Sequence, residues 1–139
     1  MKSDFMQIRK AKTSDAQGSF KVIQCDFGKH ILKKDFELSS KNKDVVYLVL
    51  EDQKKIIGYV LGFIVPTRRT EALIHEVRIL GSYRGKNLGK KLVDACCKEL
   101  FAKGVKDIYA EIESELEKFY CKTCKFKKVN NWIEVVKKK

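Results

Sequence analysis

Residues 82–92 read SYRGKNLGKKL. Gly85 and Gly89, with Asn87 between them, stand directly ahead of an apolar run of helical period. Glycine takes positive φ without steric penalty, and asparagine does so more cheaply than most residues. Such a loop turns successive backbone N–H groups towards one point, and the helix behind it adds a partial positive end. The chemistry this suits is the grip of an anion, a pyrophosphate in particular. Arg84, Lys86, Lys90 and Lys91 add charge at the rim. The plain alternative is a tight turn with solvated lysines. A Walker A loop is excluded, because it needs four residues between its glycines and Gly85 and Gly89 enclose three. A dinucleotide-binding loop belongs after the first strand, and this stretch lies far beyond it.

The other residue types with chemical potential are the cysteines: Cys25, Cys96, Cys97, Cys121 and Cys124. An odd count without a leader-like N-terminus reads as reduced thiols and a cytoplasmic protein. Cys121 and Cys124 have C-x-x-C spacing, but nothing downstream supplies a second ligand pair, so no metal is expected. Cys96 and Cys97 sit in an apolar helical pattern and read as core.

The 139 residues favour a single domain, 1–139, with 44% hydrophobic and 35% charged residues, a globular composition. No apolar run approaches the roughly 20 residues of a membrane span. The net charge of +12 attracts polyanions, including a phosphorylated cofactor. It is spread along the chain without a single basic block, so dedicated nucleic-acid binding is not expected.

The elements that must position the loop follow from periodicity. FMQIRKA alternates as a first strand. Ser14, with Gln17 three residues on, reads as a helix cap, and helical pattern continues to about Lys34. SSKNKD reads as a break. VVYLVLED and IIGYVLGFIVP are strands around an EDQKK hairpin turn, and ALIHEVRIL is a fourth strand. Leu88, Leu92, Cys96 and Leu100 recur every four residues, predicting an amphipathic helix that ends at Lys103-Gly104. VKDIYAEIE is a fifth strand, SELEKFYCKTCKF a short helix and NNWIEVVKK a closing strand. The nearly all-apolar middle strands predict a sheet covered on both faces.

VRILGSYRGKNLGKKLVDACCKEL resembles the acetyl-CoA-binding motif of the Gcn5-related N-acetyltransferases (GNAT). That signature runs arginine or glutamine, two residues, glycine, one residue, then glycine or alanine. Here it is Arg84, Gly85, Lys86, Asn87, Leu88, Gly89, with Asn87 replacing the central glycine. The order of elements also fits, although only residues 74–101 match with specificity. The resemblance implies a mixed α/β fold with a central, mostly antiparallel sheet of six to seven strands, flanked by helices and splayed between strands 4 and 5. It implies that the amides of Val77 and Ile79 bind the pantetheine arm of acetyl-CoA. Those over Gly85 to Lys90 would bind its pyrophosphate. It further implies direct acetyl transfer to an amine acceptor, of a protein or a small molecule, without a covalent acyl-enzyme.

Such transfer needs a base, or water leading to one, and donors for the oxyanion. His75 and Glu76 are the candidate bases. As neighbours on a strand they are expected on opposite faces, with one towards the acceptor. Glu111 and Glu113 are further candidates. For the acid that protonates the departing thiolate, an ungapped match of the family's last helix puts Cys121 at its tyrosine. A one-residue insertion would put Tyr120 there instead, and a thiolate also leaves without an acid. The alternative to an enzyme is a non-catalytic CoA-binding or basic-surface interaction module of the same fold. A homodimer is compatible with either reading.

Overall fold

The structure is a computed structural model and describes residues 6–24, 31–129 and 135–139. Five strands form one sheet in sequence order: β1 (Met6–Lys10), β2 (Val45–Asp52), β3 (Lys55–Val65), β4 (Arg68–Ile79) and β5 (Asp107–Ala110). The first four pair antiparallel, and β5 joins β4 parallel. A parallel neighbour needs a crossover, and α3 (Leu88–Ala102) supplies it. Two further helices, α1 (Ala16–Gln24) and α2 (Lys33–Lys41), lie between β1 and β2 in the chain.

Strand alternation sorts the core into two layers, so the sheet is covered on both faces as its apolar strands predict. Val46, Leu48, Leu50 and Val60 pack on Leu88, Leu92, Cys96 and Leu100 of α3. Tyr47, Val49, Tyr59 and Leu61 face the opposite way, onto Val22 and Ile23 of α1 and Phe36 of α2. The lid of α1 and α2 is fixed at its start by Asp15. That carboxylate accepts two bonds from the Arg9 guanidinium, at 2.7 and 3.0 Å, and a third from the Lys12 amide at 2.7 Å. Arg9 also donates to Glu51 on β2 at 3.0 Å.

Several expectations are corrected here. Asp15, not Ser14, caps the first helical turn, because its carboxylate reaches the Lys12 amide. The helical region is two helices, and the second runs through Ser39 and Ser40 instead of breaking there. Phe36 is wholly buried among Tyr47 and Tyr59, and this packing outweighs the turn preference of the serines. Five strands are present among the described residues, where six to seven were expected. The closing strand falls largely on residues 130–134, outside the described residues, and Val135 to Lys139 form no regular element. Cys25 also lies outside them. The EDQKK turn is confirmed: Gln53 and Lys54 both have positive φ, 49° and 68°, the geometry of a two-residue hairpin loop.

Candidate functional site

β4 and β5 pair only from Glu71 opposite Asp107 to Ile74 opposite Ala110. β4 runs on to Ile79 without β5, so a wedge opens at residues 75–79. Its backbone is oriented by the ladder on the other side. The Leu80 N–H donates to the Ile57 carbonyl of the β3 side at 2.8 Å. Antiparallel alternation then turns the Arg78 amide towards β3 and those of Val77 and Ile79 into the wedge. The Ile79 carbonyl obeys the same rule, because it accepts from Arg84 Nε at 3.2 Å instead of bonding β3.

Beyond β4 the chain makes a 3-10 turn at Gly81–Tyr83 and enters the candidate anion loop. Gly85 has φ 81° and Asn87 φ 63°. The sequence substitutes asparagine at a position that uses left-handed backbone, and asparagine pays little for it. The first α3 bond runs from the Lys91 N–H to the Asn87 carbonyl at 3.3 Å. The amides of Leu88, Gly89 and Lys90 therefore precede the helical ladder and are available to an anion. Gly89 itself is helical, so positive φ is not its reason. A Cβ there would come within 3.3 Å of two Phe119 ring carbons, and glycine instead allows that ring to approach the start of α3. Lys86 Nζ stands 5.6 Å from the centre of the Tyr83 ring. Lys90 turns along α3 to Asp94 at 2.5 Å, so its charge is shared within the helix.

The two candidate bases do not point to opposite faces. Between Leu61 and Gly62 the β3–β4 register skips one residue, with Leu61 opposite Glu76 and Gly62 opposite Ile74. His75 is the extra residue of this bulge. Its exposed ring lies 6.4 Å from Phe63, and Glu76 accepts a bond from Tyr59. Phe63, Leu61 and Tyr59 share one face of β3, so His75 and Glu76 both lie on the α1–α2 side. Glu76 is held there firmly: Tyr59 donates at 2.7 Å, and Arg78 approaches at 3.0 Å. The Glu76 side chain is 10% exposed. Burial, followed by the Glu76 charge, pushes the Tyr59 hydroxyl far above its ordinary value, so it stays a proton donor. Tyr59 and Arg78 were missed from sequence, because a tyrosine and an arginine in apolar strands carry no spacing signal of their own.

The last helical segment is a π-helix, Lys118–Thr123, with the Cys124 N–H reaching the Phe119 carbonyl at 2.9 Å. A π turn holds one more residue than an α turn, the equivalent of a one-residue insertion. Tyr120 is buried in the α3 core layer between Phe119 and Phe126, whereas Cys121 is only half-buried. Burial raises the Tyr120 hydroxyl well above its ordinary value and keeps it protonated at neutral pH. It pushes the Cys97 and Cys124 thiols up to about 11, which makes both poor nucleophiles. Tyr120, Cys121, Glu111 and Glu113 line a groove of about 1490 Å³ along β5, apart from His75 and Glu76. Glu111 and Glu113 are exposed there.

A wedge opens between two strands, and a helix start with free leading amides follows it in the chain. The profile of the Acetyltransferase (GNAT) family matches residues 14–126, and the chain belongs to that family. No curated protein matches it by sequence. Among solved structures it is similar to an acetyltransferase from Trypanosoma brucei, with 21% identity, a TM-score of 0.76 and coverage of 94% of this chain and 99% of that one. It is also similar to the aminoglycoside N-acetyltransferase AAC(6')-Iy in complex with CoA, with 14% identity, a TM-score of 0.78 and coverage of 95% and 94%. A third is an aminoglycoside acetyltransferase from an uncultured soil metagenomic sample, in complex with sisomicin. It shows 14% identity, a TM-score of 0.76 and coverage of 99% and 100%. At these identities the likeness is one of fold.

Proposed function

We propose that the protein is an acetyl-CoA-dependent N-acetyltransferase that passes the acetyl group directly to an amine. The observation that carries this reading is the β4–β5 wedge with an open anion loop at its mouth. Pantetheine has the shape and the amides to add to the free side of β4 at Val77 and Ile79 as a strand would. The pyrophosphate meets the amides from Gly85 to Lys90, with the Arg84 and Lys86 charges near it. The CoA complex of the similar aminoglycoside enzyme supports the same choice of donor.

The acceptor then enters from the α1–α2 side, where His75 and Glu76 lie together. Its nitrogen attacks the thioester carbonyl, the C–S bond breaks, and the amine proton leaves to Glu76 directly or through water. Glu76 is our choice of base, because Tyr59 and Arg78 fix its position next to the exposed His75. Tyr120, kept protonated by burial, is our choice of donor to the departing thiolate, with Cys121 second.

Release of free CoA thiol would be followed with acetyl-CoA and a panel of amino sugars, small amines, lysine peptides and free peptide N-termini. Acceptor-dependent release is expected, and Glu76→Gln should lower it by about a hundredfold. Acetyl-CoA binding without acceptor-dependent release would favour the non-catalytic module instead.

A further inference from the structure

We propose that Asp52 and Tyr83 form a tether that holds the loop of residues 81–87 in its anion-gripping form, which makes both of them positioning residues for the acetyl donor. The proposal rests on the acetyltransferase reading above. Asp52 is the last residue of β2 and is 9% exposed. Its Oδ2 accepts the Tyr83 hydroxyl at 2.8 Å, and its Oδ1 has no partner among the described residues. A buried carboxylate left half unpaired is unfavourable to the fold, and no described cation forms an ion pair with it. Its bond to Tyr83 is what the fold obtains from it.

That bond reaches the loop at its middle. Leu80 is fixed to Ile57 at one end, and Arg84 to the Ile79 carbonyl at the other. Tyr83 is half-buried between them, and its ring carries Lys86 at 5.6 Å. Beyond it the loop has little support: a Cβ built on Gly85 meets nothing within 4 Å. The tyrosine hydroxyl is engaged by Asp52, so its effect on a bound donor is indirect, through the loop that follows it. Holding a loop in its bound form before the ligand arrives removes an ordering cost from binding.

The test compares the wild type, Tyr83→Phe, Asp52→Asn and the double variant. Calorimetry gives the Kd for acetyl-CoA, and hydrogen exchange of the ligand-free proteins follows the amides of residues 85–88 against that of Val60 in β3. The tether predicts that Tyr83→Phe raises the Kd about tenfold. It also predicts faster exchange in the loop with Val60 unchanged, and a double variant no weaker than the weaker single. A Tyr83→Phe Kd equal to the wild type's, or additive effects in the double variant, overturns the tether and leaves the enzyme reading standing. A wild type that does not bind acetyl-CoA overturns both.

Discussion

Asn87 and His75 show what single residues reveal and conceal. The positive φ at Asn87 is legible in the sequence, because few side chains tolerate that backbone and asparagine stands where the family has glycine. Asn87→Gly is therefore expected to keep acetyl-CoA binding, whereas Asn87→Val should cost about 1–2 kcal/mol in stability and weaken binding as well. Urea unfolding and calorimetry check the two. The side of the sheet reached by His75 is not legible. A bulge adds one residue to a strand and leaves no mark in hydrophobic period, so two neighbours expected on opposite faces share one. The same applies to Tyr120, whose place depends on a π turn that a match at α-helical spacing cannot register. Tyr120→Phe is expected to slow turnover more than Cys121→Ala does, by about tenfold. The reverse order, measured by thiol release, would return the acid role to Cys121.

Elements were legible where pattern and packing agree. β2, β3 and α3 begin and end within a residue or two of their apolar runs, and Gly104, with φ 98°, ends α3 as its sequence implies. α2 was illegible, because one buried side chain, Phe36, anchors a nine-residue helix whose other apolar residue, Leu38, is exposed. Close contact between β3 and α3 was also hidden. A Cβ on Gly62 would lie 2.8 Å from Cys96 Sγ and 3.2 Å from Leu100 Cδ1. Gly62→Ala should thus destabilise the fold by about 1–3 kcal/mol, whereas Gly81→Ala, with nothing within 4 Å, should leave melting unchanged. The hairpin offers the opposite change. Lys54 sits at φ 68° with an ordinary side chain, so Lys54→Gly should raise the melting temperature by a few degrees.

At the scale of the whole molecule, the charge of +12 and the two-layered core decide how the protein responds to its medium. The Arg9 guanidinium beside Asp15 holds that carboxyl below its usual range, so the folded state favours its charged form. Its contribution is complete above the unfolded pKa, near pH 4, and disappears as the pH falls through the depressed folded value. Urea unfolding at pH 5 and pH 3 should show a loss of stability that is smaller in Asp15→Asn. No helix among the described residues is long and apolar enough to cross a membrane. The proposal of a donor comes from this scale, because charge, loop and element order all suit one phosphorylated ligand. The acceptor was not legible, since the bulge and the α1–α2 side that would shape its pocket carry no motif. The central claim is the acetyl-CoA site, and thermal melting with acetyl-CoA, against ATP at equal concentration, tests it most directly. At about 100 times its Kd, acetyl-CoA should stabilise the fold by about 2.7 kcal/mol, a shift of several degrees well beyond that with ATP. Equal shifts, or none, would contradict the account and reduce the loop to a basic turn.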